Sequence, residues 1–373
     1  MKGDHEITKF RKIEHIDICL NEFVESRVSP GFSDIHLIHN SLPELNYDEV
    51  SLETTFLGKR LKAPIVITGI TGGHPETYEI NKALAKVAEK LGLGIGVGSQ
   101  RVALDNPSLE YTFSVVKEYA PTALKIANIG FVQAKKYSID KLMKAVDMVN
   151  ADALAIHLNP LQECVQIEGD REFKGIIKRI AEISKELPVP VIAKETGAGI
   201  GFEAAKKIAE ETDVKAIDVS GLGGTSWSAV EMYRAMRKGD FFRERVAKEF
   251  WDWGIPTVVS IIEARLAAPN LEIIGSGGVR SGIDVAKVLA LGANVAGIAL
   301  PALKEAVKGF EKLELFFKIL IEELHIAMVL TGSRNISDLR RAKLVITGKT
   351  REWLIQRGIS IKEYLEKFRL RTV

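Results

Sequence analysis

Residues 272–300 read EIIGSGGVRSGIDVAKVLALGANVAGIAL. An apolar run of strand length, Glu272–Gly275, opens into Ser276-Gly277-Gly278-Val279-Arg280-Ser281-Gly282. A helical stretch follows, and a second apolar run occupies Val295–Ala299. Strand, helix, strand is the pattern of parallel neighbours, which need a crossover connection that a hairpin cannot supply. The apolar segment from Val288 to Leu303 is broken by Gly292, Asn294, Gly297 and Pro301, so it reads as helix end, turn and buried strand, not as a membrane span.

The same beat extends outward through the chain. Further apolar runs lie at Ile65–Thr68, Leu93–Val97, Ala123–Asn128, Ala153–Leu158, Val191–Lys194 and Ala216–Val219, making eight in all. Amphipathic stretches such as Glu79–Leu91 and Glu172–Leu187 separate them. Eight strands with crossover helices predict an α/β fold, a (β/α)8 TIM barrel with an N-terminal extension. A doubly wound open sheet carries one glycine-rich first turn, whereas here glycine clusters follow runs one, two, six and seven. The expected division is one barrel domain, with an arm at 1–60, the barrel at 63–330 and a C-terminal tail at 331–373. The arm either pads the bottom of the barrel or reaches its active face. Between runs six and seven, Ser220–Asn270 is long for a βα unit and reads as an ordered insertion ending in a helix at Thr257–Ala267.

Composition excludes several classes. With 51 Lys+Arg against 49 Asp+Glu in 373 residues, the chain lacks the footprint of a polyanion binder, so no nucleic-acid partner is expected. Two cysteines, Cys19 and Cys164, make neither a disulfide framework nor a zinc site. A charged N-terminus without an apolar core leads us to expect a cytoplasmic protein with no membrane partner.

In this fold the chemistry gathers at the C-terminal ends of the strands. Polar residues crowd there: Thr68-Gly69-Ile70-Thr71, Gly98-Ser99-Gln100-Arg101, Asn128, His157 with Asn159, Gln162 and Glu163, Lys194-Glu195, and Ser220 with Thr225. Any one of these could be turn chemistry or helix capping; six at the same end argue for a site. After runs seven and eight, the glycines and helix N-termini suit a phosphate. Lys194 ends a buried strand, where an ammonium needs a partner. It could form a Schiff base, an ion pair, or a charge beside a flavin's N1–C2=O edge. Glu163 and a bound diphosphate could share Mg2+, whereas a lone His157 makes zinc a poor fit.

Together these motifs resemble the flavin-dependent, type 2 isopentenyl-diphosphate Δ-isomerases of archaeal type. The resemblance spans nearly the whole chain, and its most discriminating parts are Arg11-Lys12-Ile13-Glu14-His15, Gly98-Ser99-Gln100-Arg101 and His157-Leu158-Asn159-Pro160 with Gln162-Glu163. It implies an allylic proton shift between isopentenyl and dimethylallyl diphosphates in isoprenoid biosynthesis, with FMN active in its reduced form, Mg2+, and NAD(P)H as reductant. It also implies a homo-oligomer, a tetramer or octamer.

Carried over residue by residue, the resemblance implies FMN contacts at Thr68, Gly69, Ile70, Thr71, Ser99, Asn128, Lys194, Ser220 and Thr225. The FMN phosphate would lie on Gly277, Gly278, Val279, Arg280, Ala299 and Leu300. The substrate would be held by Arg11, Lys12, Ser99, Gln100, Arg101, His157, Asn159 and Gln162. Glu163 would ligate the metal; Gln162, Lys194 and Glu231 would be the catalytic set, with Trp227 near the pocket. Two alternatives are an FMN-dependent TIM-barrel oxidoreductase and a phosphate-ligand binding barrel. A hydroxy-acid oxidase would need a histidine near strand ends six or seven, and Ser220-Gly221-Leu222-Gly223-Gly224 carries none. A binding barrel explains the glycines but not six polar strand ends.

Overall fold

Runs with no polar face can be strands only where both faces are covered. In the structure, a computed structural model describing residues 2–371, they form eight parallel strands: β1 Ile65–Ile67, β2 Gly94–Gly96, β3 Lys125–Gly130, β4 Ala153–Leu158, β5 Val191–Glu195, β6 Ala216–Asp218, β7 Glu272–Ser276 and β8 Val295–Ile298. Each pairs with the next, and β8 returns to β1, closing the barrel. The expected barrel is therefore present, and the strand ends move by no more than two residues. The helix expected over Glu172–Leu187 is shorter, Ile176–Glu186, because Gly175 sits at φ +82° and starts it late.

The register fixes the level of the site. Gly130 pairs with His157, His157 with Lys194, Lys194 with Asp218, and Asp218 with Ile274. Three strand-end polar residues thus stand in one row around the mouth. The chain between β6 and β7 contains the helices Trp227–Arg237, Phe241–Glu249 and Thr257–Ala267. Trp251 is buried between Phe23 and Tyr233 and donates its indole N–H to Glu25 O. The insertion therefore grips the segment that follows the N-terminal helix.

Both readings of the arm apply, to different segments. The helix Lys2–Asn21 lies at the mouth, where Arg11, Lys12, His15, Ile16 and Cys19 line the cavity. The hairpin Thr54–Phe56/Lys59–Leu61 plugs the opposite end. Its turn residues Leu57 and Gly58 both have positive φ, +48° and +76°, the twist that two-residue hairpins require. Phe56 and Leu61 enter the barrel against Val66, Ile126, Ala153, Ala155 and Ala216. The small residues leave room for the ring. Glu272 accepts from Leu57 N at 2.7 Å, and Lys59 pairs with Asp152 at 2.8 Å, fastening the plug to the strands.

The C-terminal segment folds back on the arm: Leu344–Ile346 pairs antiparallel with Ile35–Leu37, and Thr350 N donates to Asp34. No helix among the described residues is long and apolar enough to cross a membrane. Phe56→Ala should cost about 3–5 kcal/mol through the cavity left in the barrel floor, read from urea unfolding. A loss under about 1 kcal/mol would contradict the plug's role.

Candidate active site

All eight strand ends and the N-terminal helix surround one cavity of about 220 Å³. Every expected site residue lines it except two. Gln100 is fully buried and turned outward: its Nε2 donates to Ala145 O at 2.8 Å, and its Oε1 accepts from Asn128 N at 2.9 Å. It braces β3 instead of facing a ligand. Glu231 is buried one layer back, touching cavity residues without being one.

At the ends of β7 and β8 the backbone forms a cradle. Gly277 and Gly278 have φ of +107° and +73°, which only glycine adopts readily. A Cβ on Gly277 would stand 2.2 Å from Gly221 O, and one on Gly224 would stand 2.7 Å from Gly278 N. Two loops pack backbone to backbone here. Among the described residues, the N–H groups of Gly278, Val279, Ala299 and Leu300 donate to no protein acceptor. Leu300 opens a helix, whose first N–H groups have no partner within it. Such a set of unpaired donors suits a phosphate. Arg280 beside it is held by Glu25 of the arm.

Deeper in the cavity, Lys194 Nζ donates to Asp218 Oδ2 at 2.7 Å, and Ser276 Oγ donates to Asp218 Oδ1 at 2.5 Å. Of the alternatives for Lys194, the ion pair is the arrangement present. His157 Nδ1 lies 2.8 Å from Asn128 Oδ1, while Asn128 Nδ2 donates to Val97 O at 3.0 Å. Burial, with Lys12 and Lys194 nearby, pushes the His157 imidazole down to about 3, so it is neutral. Adjacent Glu195 faces away from the barrel axis, and one of its oxygens accepts from the backbone N–H groups of residues 196 to 199. Burial pushes it up to about 7 against those bonds.

Arg11, Lys12 and Arg101 converge on the cavity. Lys12 donates to Ser99 O at 3.3 Å; burial, Arg11 and Arg101 push its ammonium down to about 7. Like charges brought this close call for an anionic ligand. Among the described residues, Asn159 adds a buried Oδ1 with no partner, and Thr71 a buried hydroxyl with none. Asn159 Nδ2 donates to Gln162 Oε1 at 3.0 Å, and Gln162 Nε2 donates to Glu231 Oε1 at 3.0 Å, so the Gln162 amide has one orientation. His15 meets the same oxygen at 3.0 Å, and Arg234 meets the other at 2.6 Å. Burial alone would raise Glu231, but His15 and Arg234 hold it down to about 2. Glu163 borders the cavity and accepts from Gln166 and Asp170 N. No cluster of three metal-ligating side chains occurs among the described residues, so a metal here would need oxygens from its ligand.

Five polar cavity residues had no assigned role in the sequence: His15, Gln133, Gln166, Thr196 and Ser276. His15 was detectable, since it lies one turn after Arg11 on the same helix face. Gln133 and Thr196 belong to no pattern. Asp218→Asn should destabilise the fold by about 3–5 kcal/mol, because it leaves a buried ammonium without its counter-charge. Adding Lys194→Met should return part of that loss in thermal unfolding. A double variant as unstable as the sum of the singles would contradict the pairing.

Comparison with known proteins agrees with this architecture. A family profile described as FMN-dependent dehydrogenase matches residues 176–346. Among solved structures, mandelate oxidase with (S)-mandelic acid has a TM-score of 0.62 at 18% identity, covering 93% of this chain and 98% of that one. Mandelate oxidase with a monooxide FMN adduct has a TM-score of 0.61 at 17% identity, covering 92% and 96%. At such identities the likeness is one of fold. The isopentenyl-diphosphate delta-isomerase of Methanosarcina barkeri is 52% identical over 358 residues, 96% of this chain and 97% of that protein. That of Metallosphaera sedula is 48% identical over 356 residues, 95% and 97%. That of Thermococcus kodakarensis is 48% identical over 371 residues, 96% and 97%. Identity near one half, sustained over almost the full length of these enzymes, means that the chain belongs to the isopentenyl-diphosphate delta-isomerases.

Proposed function

We propose that the protein interconverts isopentenyl and dimethylallyl diphosphates by an allylic proton shift, using reduced FMN and Mg2+. The observation that carries the reading is that one cavity holds two separate places for anions. The unpaired N–H groups at Gly278, Val279, Ala299 and Leu300 suit the FMN phosphate. The cations Arg11, Lys12 and Arg101 suit the substrate diphosphate. A plain oxidoreductase accounts for the first and leaves the second without purpose.

The residues present fit FMN. Besides the phosphate cradle, the buried Thr71 hydroxyl lacks a partner among the described residues, and Lys194 stands as a fixed cation on the cavity wall. Thr68, Gly69, Ile70, Ser99, Asn128, Ser220 and Thr225 complete the surface for the ring. Reduced flavin, when bound, supplies an acidic N5–H and an electron-rich face, which an isolated alkene needs because it is a very weak base. Lys194, anchored by Asp218, would balance the negative charge of the reduced ring near N1.

The chain itself binds, orients and dries the substrate. Arg11, Lys12, Arg101, His157 and Asn159 would hold the diphosphate, and Glu163 would complete Mg2+ coordination with diphosphate oxygens. Gln162 would lie along the isoprenyl carbons in the orientation that Asn159 and Glu231 impose. Glu231, ionised near neutral pH, is an acceptor that positions Gln162 and His15. Trp227, edge-on to His15, covers that end of the cavity and excludes water. The reading extends to a homo-oligomer in the cytoplasm with NAD(P)H as the reductant; sedimentation measures the first.

The purified protein with FMN and Mg2+, reduced by NAD(P)H or dithionite, should convert isopentenyl diphosphate without consuming reductant stoichiometrically. Turnover that survives complete removal of flavin would overturn the mechanism. Lys12→Ala should raise KM about 10–100-fold with little change in kcat, as expected for lost charge-assisted bonds. Because Lys12 is charged below about pH 7 and neutral above it, wild-type KM should gain an extra rise above that pH. Lys12→Ala should lack this rise; a variant that keeps it would refute the assignment.

A further inference from the structure

His157 is placed to receive an anion, yet its hydrogen bonding makes it an acceptor. Val97 O can only accept, so the Asn128 side chain must present Nδ2 to it, 3.0 Å away. That leaves Asn128 Oδ1 facing His157 Nδ1 at 2.8 Å. An oxygen facing a nitrogen at that distance requires the hydrogen on Nδ1. Gln100 holds the arrangement from behind, accepting from Asn128 N and itself anchored to Ala145 O. The neutral ring therefore carries its lone pair on Nε2.

Nε2 lies against Gly130, 2.8 Å from where a Cβ would stand, and among the described residues no hydrogen bond to it is formed. The charged groups that face the ring are Lys12 from the arm and Lys194 from β5, the latter paired with Asp218. Arg11 and Arg101 lie on the same cavity wall, and the uncharged Gln133 is beside Gly130. Cations around an imidazole disfavour its charged form, and burial adds to the effect. A lone pair directed at ionised phosphate oxygens would repel them.

We propose that binding of the substrate's diphosphate draws one proton from solvent onto His157 Nε2, with Asn128 as the positioning residue that fixes the tautomer. The new N–H bond forms on Nε2 and points at a phosphate oxygen, and water or buffer supplies the proton. The anion reverses the local field: its negative charge outweighs Lys12 and Lys194 and stabilises the imidazolium. Affinity for the diphosphate is thereby linked to pH through a group that is neutral in the free protein. The proposal rests on the substrate reading above, because it needs the diphosphate beside His157.

Isothermal titration with isopentenyl diphosphate, in unreduced holoprotein with Mg2+, tests it. Runs at pH 5.5 in buffers of different ionisation enthalpy give the number of protons taken up, more than a unit below the value of about 7 at which Lys12 titrates. Wild type should take up about one proton more than His157→Gln, whose Nε2 is already a donor at that place. The His157→Gln association constant should lose the tenfold-per-pH-unit fall that His157 contributes. His157→Asn, which keeps a donor for Asn128 but does not reach the phosphate, should also lose the uptake and should bind more weakly than His157→Gln. Equal uptake in wild type and both variants would overturn the proposal alone. Wild type that fails to bind would overturn the substrate reading and this proposal with it. Independently of any variant, the 15N shifts of His157 in the free protein should be those of the Nδ1–H tautomer. An Nε2–H tautomer or an imidazolium there would overturn it.

Discussion

A guanidinium with 1% of its surface exposed persists only where carboxylates surround it. Arg234 has three: Glu231 at 2.6 Å, Glu14 at 3.0 Å and Glu168 at 3.1 Å. Each comes from a different part of the chain: the helix Trp227–Arg237 itself, the N-terminal helix, and the loop after β4. Burial works against the charge, but Glu231 and Glu168 more than restore it. Removing Arg234 would leave Glu231, itself buried, without its main counter-charge, at a cost of about 3–5 kcal/mol for a well-buried pair. This contact explains how mutually repelling Arg11 and Lys12 can stay at the mouth, since Glu14 anchors the helix that carries them. Arg237, paired with Asp17 and Glu22, fastens the same helix farther along.

Around that anchor the barrel divides its labour by height. Its floor is apolar and plugged by Phe56 and Leu61. Above it the strand register aligns His157, Lys194 and Asp218 in one row, and above that lie glycine loops that offer backbone N–H groups. Rigid strands set the polar row, and loops gripped by the insertion set the donors. Positive and negative residues balance across the whole chain, 51 against 49, yet the cavity wall gathers Arg11, Lys12, Arg101, Lys194 and Arg280. The overall charge conceals this asymmetry.

The barrel was readable because its strands are buried on both faces, which writes each one as an unbroken apolar run. The glycine cradle was readable because positive φ and close backbone approach leave few alternatives to glycine. Gln100 misled because a polar residue at a strand end can turn outward to brace a neighbour as readily as inward. Arg234 was invisible for another reason. Its partners Glu14 and Glu168 lie 220 and 66 positions away, and no local pattern marks a charge as buried. The arm was open between two roles because helix and hairpin within it serve opposite ends of the barrel. His15 lay in plain helical spacing with Arg11, but spacing alone gives a face and not a task.

On the proposed function, the cradle at β7 and β8 holds the phosphate of a flavin inside the cavity that also receives the substrate. Titrating flavin-free protein with FMN and, separately, with riboflavin tests it most directly, using flavin fluorescence as the readout. FMN should bind one per chain and riboflavin, which lacks the phosphate, at least about a hundredfold more weakly, as expected when charge-assisted bonds are lost. Equal affinity for the two flavins, or no binding of either, would contradict it.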